Sequence, residues 1–396
     1  MKKFTVLLLS LIMSVSLCGC GTQELSVLKP DETFDRVFDA GTYTELDYDF
    51  ANDYFAETYD QWDMGCTAVA KVNDKGDTIV GRNMDLTICN KAAYYFRTKC
   101  EGCYETIGTC YTFRDVSPDY EDVKKNGLQP DFRKILPFLS DDVLNSEGLY
   151  VEINMREGEV WPTGETKFGC SGTNPDAKER AYLFTLPRYV GEHCATVDEA
   201  IDYIKSIDWY SMYGKEMDAN TYCFILADAT GKYGLVEFAA DEIYWLEGQQ
   251  AQANFFVNEE INKIQELKAG VGRYDKVMSG INSVQTEDEM FELMDSVSYY
   301  QTYFPDECQF DNRSEFIGLL PYWTTDIMTD PVYKDSIEEV VYQVGDYLKT
   351  RSRQQLRDEN YYWESIFTEV VNCNNRTIKI RFYENDDMVM TLGFDK

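Results

Sequence analysis

Short apolar runs separated by polar turns dominate the chain from residue 66 onward, and this pattern is typical of β-strands. Two of these runs, Thr67–Val72 and Thr78–Gly81, flank the turn sequence Asn73–Gly76, which predicts a β-hairpin. Similar runs predict further strands at Leu149–Asn154, Tyr222–Leu226, Tyr233–Phe238, Ile243–Leu246, Asn254–Val257, Ser365–Val371, Thr377–Phe382 and Met388–Leu392.

Helical segments are fewer and lie between the strands. Capping boxes, in which Ser or Thr precedes Glu by three residues, open amphipathic runs at Thr196, Thr286 and Ser336. Helices are also predicted at Pro175–Leu186 and Ile261–Leu267. Strands at both ends with helices between them indicate an α+β layered fold. No linker-like stretch divides residues 66–396, so we expect one domain there.

The N-terminus has the pattern of an export signal. Lys2 and Lys3 precede an apolar run, Phe4–Leu17, that is shorter than a membrane span. The next residues, Leu17-Cys18-Gly19-Cys20, resemble a bacterial lipobox, which implies a signal peptide at 1–19 and a lipid on Cys20. An ordinary secretory peptide cut nearby is the alternative. We expect an extracytoplasmic protein that this lipid anchors to the membrane.

Charge narrows the range of partners. The 396 residues carry a formal charge of −33 at pH 7, which argues against nucleic acid and against anionic lipid bound by charge. Residues 20–65 are acidic with scattered aromatic side chains. We interpret them as a tether and pro-segment, with partial packing on the body left open.

Cys66 is the candidate for chemistry. The predicted hairpin places it opposite about Asn83, with Arg82 and Asp85 close by, and a cation beside a thiol lowers its pKa. A nucleophilic cysteine needs a base, and the chain has one histidine, His193. If the chain is cut before Cys66, the new α-amino group, with a reference pKa near ~8, is a base that needs no histidine. A papain-like pair with His193, or a small core residue, are the alternatives.

A second group of cysteines suggests metal or redox chemistry. Cys100-Glu-Gly-Cys103 lies near Cys110, but structural zinc needs four ligands, and only Cys89 could complete the set. A disulfide or free thiols are therefore favoured, and no metal site is predicted.

An ordered set of motifs resembles one protein family. The chain is similar to the choloylglycine hydrolases, or linear amide C–N hydrolases, a branch of the N-terminal nucleophile hydrolases that includes bile acid hydrolases and penicillin V acylases. The motifs are Cys66-Thr67, Gly81–Asp85, Asn145–Leu149, Ala195–Ala200, Ala227–Glu237, Phe256–Asn258, Gly272–Tyr274 and Trp363–Tyr383. The resemblance implies a four-layer αββα sandwich with antiparallel sheets, and no metal or cofactor.

The resemblance also implies residue roles around the nucleophile. Cys66 would attack through sulfur and act as base through its amine. Arg82 would support the thiolate, and Asp85 would hold the amine.

Three further residues would complete the site by resemblance. Asn154 would donate to the oxyanion, although it lies one residue closer to Leu149 than the family pattern has it. Asn258 would line the oxyanion site or the amine, with Asn254 as its competitor. Arg273 would orient the nucleophile.

The implied function is hydrolysis of a linear N-acyl amide through a thioester on Cys66. Because 65 residues precede Cys66, activity requires cleavage at Gly65–Cys66, and self-cleavage is suggested. This cleavage would leave the lipid and the enzyme on different fragments, so the enzyme would be released or held only by packing of the acidic pro-segment. An acyltransferase of the same fold and a lipid-anchored solute-binding protein are the alternatives. The partner would be a small N-acyl amide, with bile acid conjugates, penicillin V and acyl homoserine lactones all open. Homo-oligomers are common in the family, but the sequence shows no interface.

Overall fold

The computed structural model describes residues 29–31, 33–34, 36–57, 65–88, 92–111, 119–156, 170–211, 221–264, 270–298, 362–382 and 388–394. The strands in chain order are β1 (Lys29–Pro30), β2 (Val37–Tyr43), β3 (Gly65–Val72), β4 (Thr78–Ile88), β5 (Ala93–Thr98), β6 (Thr106–Tyr111), β7 (Asp142–Asn145), β8 (Tyr150–Arg156), β9 (Arg180–Tyr182), β10 (Asp208–Tyr210), β11 (Thr221–Ala227), β12 (Tyr233–Ala239), β13 (Glu242–Glu247), β14 (Ala251–Gln252), β15 (Tyr362–Asn372), β16 (Thr377–Phe382) and β17 (Met390–Gly393). The helices are α1 (Tyr48–Glu57), α2 (Tyr120–Asn126), α3 (Pro130–Ile135), α4 (Leu186–His193), α5 (Val197–Ser206), α6 (Glu259–Asn262), α7 (Val271–Gly280) and α8 (Glu287–Asp295).

Two large sheets contain nearly all of these strands. The first, sheet A, has nine strands in the order β1-β2-β5-β6-β7-β8-β11-β12-β13. The second, sheet B, has six in the order β14-β3-β4-β15-β16-β17. A small parallel pair joins β9 and β10. Both large sheets are antiparallel except where β2 pairs with β5 in parallel, so the prediction of antiparallel sheets needs that one correction.

Successive side chains along each strand face different layers of the fold. On β7, Asp142 points toward sheet B and binds Arg82, whereas Val143 faces α4. A Cβ atom on Gly191 of α4 would lie only 2.4 Å from the Val143 side chain, so the helix packs directly on sheet A. Gly81 of β4 likewise leaves no room for a Cβ atom beside the Met290 side chain, so α8 packs directly on sheet B. The order helix, sheet, sheet, helix is the predicted αββα sandwich.

Apolar clusters fill the spaces between these layers. The larger one runs through both faces of sheet A and includes Ile153, Phe224 and Leu144. The smaller one joins sheet B to α7 and α8 through Val69, Val277 and related side chains. Among the described residues, no helix is both long and apolar enough to cross a membrane.

Most predicted strands are confirmed. The hairpin forms from β3 and β4 around residues 73–76, and β16 has the predicted bounds. The capping box at Thr286 is present with both of its hydrogen bonds. At Thr196 the hydroxyl caps α5, but the Glu199 carboxylate reaches Ala195 instead.

Three predicted elements differ from the structure. Asn254–Val257 is not a strand, because the chain turns there from β14 into α6. Pro175–Leu186 is not one helix: it contains β9 and a 3₁₀ turn, and α4 begins at Leu186. Helix α6 begins two residues before Ile261 and ends at Asn262. The run opening at Ser336 lies outside the described residues.

The segment before Cys66 is part of the fold where it is described. Strand β2 extends sheet A, and Phe38 on it is 1% exposed. Helix α1 packs on the body with Phe55 fully buried against Tyr182. This segment therefore contributes core side chains as well as acidic ones.

Candidate active site around Cys66

Cys66 is the second residue of β3 and lies in the interior of sheet B. It pairs with Met84 on β4, one residue beyond the Asn83 that the sequence predicted. Because strand side chains alternate, this register puts Cys66 on the same face as Arg82. That face points toward sheet A, whereas Asp85 points toward the helices.

The thiol of Cys66 is enclosed. Its Sγ lies 3.8 Å from Nη2 of Arg82 and 3.6 Å from Sδ of Met84, and the residue is 0% exposed. Burial raises the pKa of the Cys66 thiol to about 12, and the Arg82 guanidinium only partly opposes this rise. In the uncut chain the thiol is therefore protonated at neutral pH.

Arg82 is itself held by sheet A. Its Nη1 donates to Asp142 at 2.9 Å and its Nη2 to the carbonyl oxygen of Ile153 at 3.1 Å, and Glu152 lies 4.0 Å from Nε. Arg82 and both carboxylates are fully buried. The guanidinium thus has a fixed direction, with one nitrogen aimed at the sulfur.

Buried acids collect around this arginine. Burial raises the pKa of Asp142, and it raises the pKa of Asp141 and Glu369 well above the ordinary carboxyl range. The Tyr150 hydroxyl donates to Glu369. One guanidinium cannot balance these acids together, so burial favours the protonated form in part of the cluster.

Two asparagines hold the backbone of the cysteine. Asn154 Nδ2 donates to the carbonyl oxygen of Cys66 at 3.1 Å and to that of Ala253 at 3.3 Å. Asn254 Oδ1 accepts from the Cys66 amide at 3.3 Å, while its Nδ2 donates to Asn154 Oδ1 at 3.0 Å. The side-chain amide of Asn154 is thereby oriented beside the nucleophile candidate.

Arg273 approaches from the helical layer. Its Nη1 donates to the Cys66 carbonyl oxygen at 3.0 Å, to Thr67 at 2.6 Å and to Asp85 at 3.1 Å. Its Nη2 donates to Asn254 at 2.8 Å. The Ser365 hydroxyl donates to the other oxygen of Asp85, next to a bulge in β15.

A glycine makes room for this arginine. Gly270 precedes α7 with φ at +78°, a conformation that L side chains rarely adopt. A Cβ atom there would lie 2.6 Å from Nη2 of Arg273 and 2.8 Å from the Ala253 side chain. The close approach explains why glycine occupies this position.

The structure brings together most of the predicted residues, but not all. Cys66, Arg82, Asp85, Asn154 and Arg273 converge as described. Asn258 does not join them.

Asn258 instead caps a helix. Its side chain accepts from the amides of Glu260 and Ile261 at the start of α6, and its own amide donates to Glu237. Asn254, the competitor, is the asparagine at the cysteine. Because asparagine is a favoured N-cap residue, the motif position alone did not distinguish this structural role from a role at the site.

His193 and the other cysteines lie elsewhere. His193 ends α4 on the outer face of sheet A, stacked on Tyr203 at 5.4 Å, so it does not form a papain-like pair with Cys66. Cys110 is buried in the core and unpaired. Cys20 and Cys89 lie outside the described residues.

Sequence reasoning missed Thr67 and Ser365 as partners of the site. Thr67 follows the cysteine directly and faces Arg273, which the hairpin register would have indicated. Ser365 meets Asp85 through the β15 bulge, and no local pattern in the sequence signals that bulge.

The two-sheet sandwich between helical layers is the fold that the resemblance to the N-terminal nucleophile hydrolases implied. The family model described as "Acyl-coenzyme A:6-aminopenicillanic acid acyl-transferase" matches residues 140–314. Over these residues, which are less than half of the chain, the sequence is similar to that acyl-transferase family. It begins after Cys66, so it does not itself identify the nucleophile.

Solved structures of two hydrolases are similar at low identity. A mutant of the conjugated bile acid hydrolase from Clostridium perfringens has a TM-score of 0.46 and 11% identity, over 83% of this chain and 92% of that chain. Penicillin V acylase from Agrobacterium tumefaciens has a TM-score of 0.46 and 13% identity, over 83% and 86%. At TM-scores below 0.5, neither carries a conclusion about substrate or residue roles. No curated protein sequence matches the chain.

Proposed function

We propose that the protein hydrolyses a linear N-acyl amide through a thioester on Cys66, after the chain is cut between Gly65 and Cys66. The observation that carries this proposal is the convergence of Arg82, Asn154 and Arg273 on Cys66, each within hydrogen-bond reach of its sulfur or carbonyl oxygen. A buried core cysteine needs no such set of fixed polar partners.

Cleavage would supply a general base for Cys66 and would expose its thiol to substrate. In the uncut chain the nitrogen of Cys66 belongs to a peptide bond and cannot act as a base. The thiol is protonated, and the residue is 0% exposed. In self-cleavage, the Cys66 sulfur attacks the Gly65 carbonyl carbon, the C–N bond breaks, and the nitrogen takes the thiol proton. Water then hydrolyses the resulting thioester. The freed α-amine, near pKa ~8 in reference compounds, becomes the base, and departure of Gly65 from β3 opens the thiol.

The amide reaction would follow the same course with an external acyl group. The thiolate adds to the substrate carbonyl, and the amide of Asn154 donates to the oxyanion. One such donor contributes roughly 3–4 kcal/mol in other enzymes. The α-amine passes its proton to the leaving amine, and water releases the acid from the thioester. Arg82 keeps positive charge beside the sulfur throughout.

The first experiment compares full-length wild type with Cys66→Ala by intact mass and N-terminal sequencing. We expect wild type to begin at Cys66 and the variant to stay uncut. Wild type is then screened on N-acyl amides, with detection of the released amine. If both proteins stay uncut and neither releases amine, the proposal is wrong. A lipid-anchored solute-binding protein, for which Cys66→Ala would have no effect on ligand binding, then becomes the better hypothesis.

Acyl transfer is the second candidate, and the family match to an acyltransferase favours it. The same thioester would be attacked by an amine instead of water. Adding an amine acceptor to the assay distinguishes the two, because a transferase forms a new amide at the expense of the free acid. The substrate class in both cases is a small N-acyl amide.

The place of action is also a proposal. We propose that the enzyme works outside the cytoplasm, with a lipid on Cys20. Labelling with a fatty acid analogue should modify wild type and leave Cys20→Ala unlabelled. If neither wild type nor Cys20→Ala is labelled, the lipid anchor is excluded.

A further inference from the structure

A second cluster of reactive side chains lies on the outer face of sheet A, away from Cys66. It is formed by the turn between β5 and β6 and by the end of α4. The Cys103 sulfur, a carboxylate oxygen of Glu192 and a ring nitrogen of His193 lie within 4.8 Å of one another. The sequence separates these groups by about 90 residues, so only the fold brings them together.

The β5–β6 turn presents two thiols. The amide of Cys103 donates to the carbonyl oxygen of Cys100 at 3.2 Å, and Gly102 between them has φ at +80°. Cys100 lies outside the 4.8 Å group, but this tight turn holds it beside Cys103.

Glu192 is the buried member of the group. It is 1% exposed, and its Oε2 accepts from the Tyr48 hydroxyl at 2.8 Å. Its Oε1 accepts no hydrogen bond from the residues that the structure describes, and the nearest cation is Arg188 at 3.6 Å. That guanidinium donates instead to Thr106, to Ser140 and to a backbone carbonyl. A buried carboxylate oxygen is therefore left without a donor beside a thiol and an imidazole.

We propose that Cys103, Glu192 and His193 bind a zinc ion, with Cys100 as the fourth ligand. Sulfur, nitrogen and oxygen donors together are the set that zinc takes in tetrahedral sites. Calcium and magnesium take oxygen ligands and would leave the thiols unused.

Charge balance agrees with two thiolate ligands. Arg188 and Glu192 neutralise each other in the structure. A divalent ion that displaces one proton from each thiol adds no net charge beside the buried Glu192. Two S–H bonds break, two zinc–sulfur bonds form, and two protons pass to solvent.

The ion would join three parts of the chain. It would tie the β5–β6 turn to the end of α4, and Tyr48 would connect Glu192 to α1. Zinc would therefore stabilise the docked α1. This proposal is independent of the amide chemistry at Cys66.

The test uses full-length Cys66→Ala protein, so that the candidate nucleophile cannot bind the probe. After reduction and metal removal, the protein is titrated with Co²⁺ and then with Zn²⁺. We expect one ion per chain, a cobalt–thiolate charge-transfer band, release of two protons, and a higher melting temperature. Cys103→Ser and His193→Ala should each weaken cobalt binding more than tenfold, and Cys100→Ser should lower the thiolate band.

Cys194→Ala is the matched control, because Cys194 follows His193 but lies outside the ligand group. It should bind cobalt like the parent. Circular dichroism confirms that each variant is folded. Binding weaker than about 1 µM, or binding that Cys103→Ser and His193→Ala leave unchanged, would overturn the proposal. A Cys100–Cys103 disulfide in protein isolated from the cell envelope would also overturn the proposal. It would be detected as a mass two hydrogens lower.

Discussion

Arg273 on α7 and Asp85 on β4 form a buried ion pair at 3.1 Å, and the same guanidinium nitrogen donates to the Cys66 carbonyl oxygen. One side chain thus links the helical layer to both strands of the hairpin that carries the candidate nucleophile. Asp85 is fully buried, so it depends on this partner and on Ser365. The pair fixes the backbone of Cys66 from the side opposite to Arg82.

Arg273→Lys should uncouple this link while keeping the charge. A single ammonium cannot reach Cys66, Asp85 and Asn254 together, whereas the planar guanidinium does. We expect kcat to fall roughly 100-fold with little change in KM, because the nucleophile is misplaced rather than the substrate site. Amide hydrolysis and the rate of chain cleavage at Cys66 are the measurements. Lys276→Ala, an exposed change on the same helix, is the control, and an equal loss there would contradict the assigned positioning role.

Asp85 should make stability depend on pH. Burial raises the pKa of its carboxyl from 3.8 to about 6, and Arg273 and Ser365 oppose that rise only in part. The folded state therefore holds the proton more tightly than the unfolded chain. The stabilising contribution is complete below about pH 4 and is lost as the pH rises through 6, a total of about 3 kcal/mol.

Asp85→Asn should remove this contribution. Urea unfolding at pH 4 and pH 7 measures the free energy of unfolding of uncut Cys66→Ala protein with and without Asp85→Asn. Relative to the Asp85→Asn variant, the protein that keeps Asp85 should lose stability between these pH values. The other buried acids titrate in both proteins and cancel in the difference. A flat difference would show that folding leaves the pKa of Asp85 unchanged, and a difference of opposite sign would show that Asp85 stays ionised in the folded state; either contradicts the prediction.

The β3–β4 hairpin is the part of the site that the sequence predicts best. The turn at residues 73–76 and the two strands were predicted from local pattern, since the apolar alternation and the turn residues are both local signals. The register was wrong by one residue. That slip matters because it decides that Arg82 shares the face of Cys66 and that Asp85 lies on the other face.

The rest of the site depends on contacts between distant segments. Asn254 reaches Cys66 because β14 ends and the chain turns toward α6, while the motif position Asn258 caps that helix. Composition and periodicity do not encode such turns, so the strand predicted at Asn254–Val257 was wrong. The sequence left partial packing of residues 20–65 open, but it did not predict α1 and β2, because the acidic residues there suggested a tether.

Asn154 and Asn258 provide a direct comparison. Asn154→Ala removes the donor beside the Cys66 carbonyl oxygen, and we expect turnover to fall roughly 100- to 1,000-fold. Asn258→Ala removes two cap hydrogen bonds from α6, and it should cost about 1 kcal/mol of stability with turnover retained. Steady-state kinetics and thermal melts on both variants separate the effects. The reverse pattern would restore Asn258 as the oxyanion donor.

The segment before Cys66 should stay bound after cleavage. Strand β2 pairs with β5, and the Asn52 side chain accepts from the amide of Tyr182 and donates to Tyr189. Phe55 is fully buried. These contacts do not require the Gly65–Cys66 bond, so the two fragments should elute together in size exclusion. A lipid on the smaller fragment would then keep the mature enzyme with the membrane.

Phe55→Ala should weaken this docking. Loss of a buried phenylalanine costs about 3–5 kcal/mol, which is enough to release a noncovalent fragment at low concentration. We expect a high-salt wash to leave mature wild type in the membrane fraction and to release mature Phe55→Ala. Asp53→Ala, an exposed change on α1, should behave like wild type. Recovery of mature wild type in the soluble fraction would mean that cleavage frees the enzyme despite these contacts, and the segment would then be a pro-segment that is discarded.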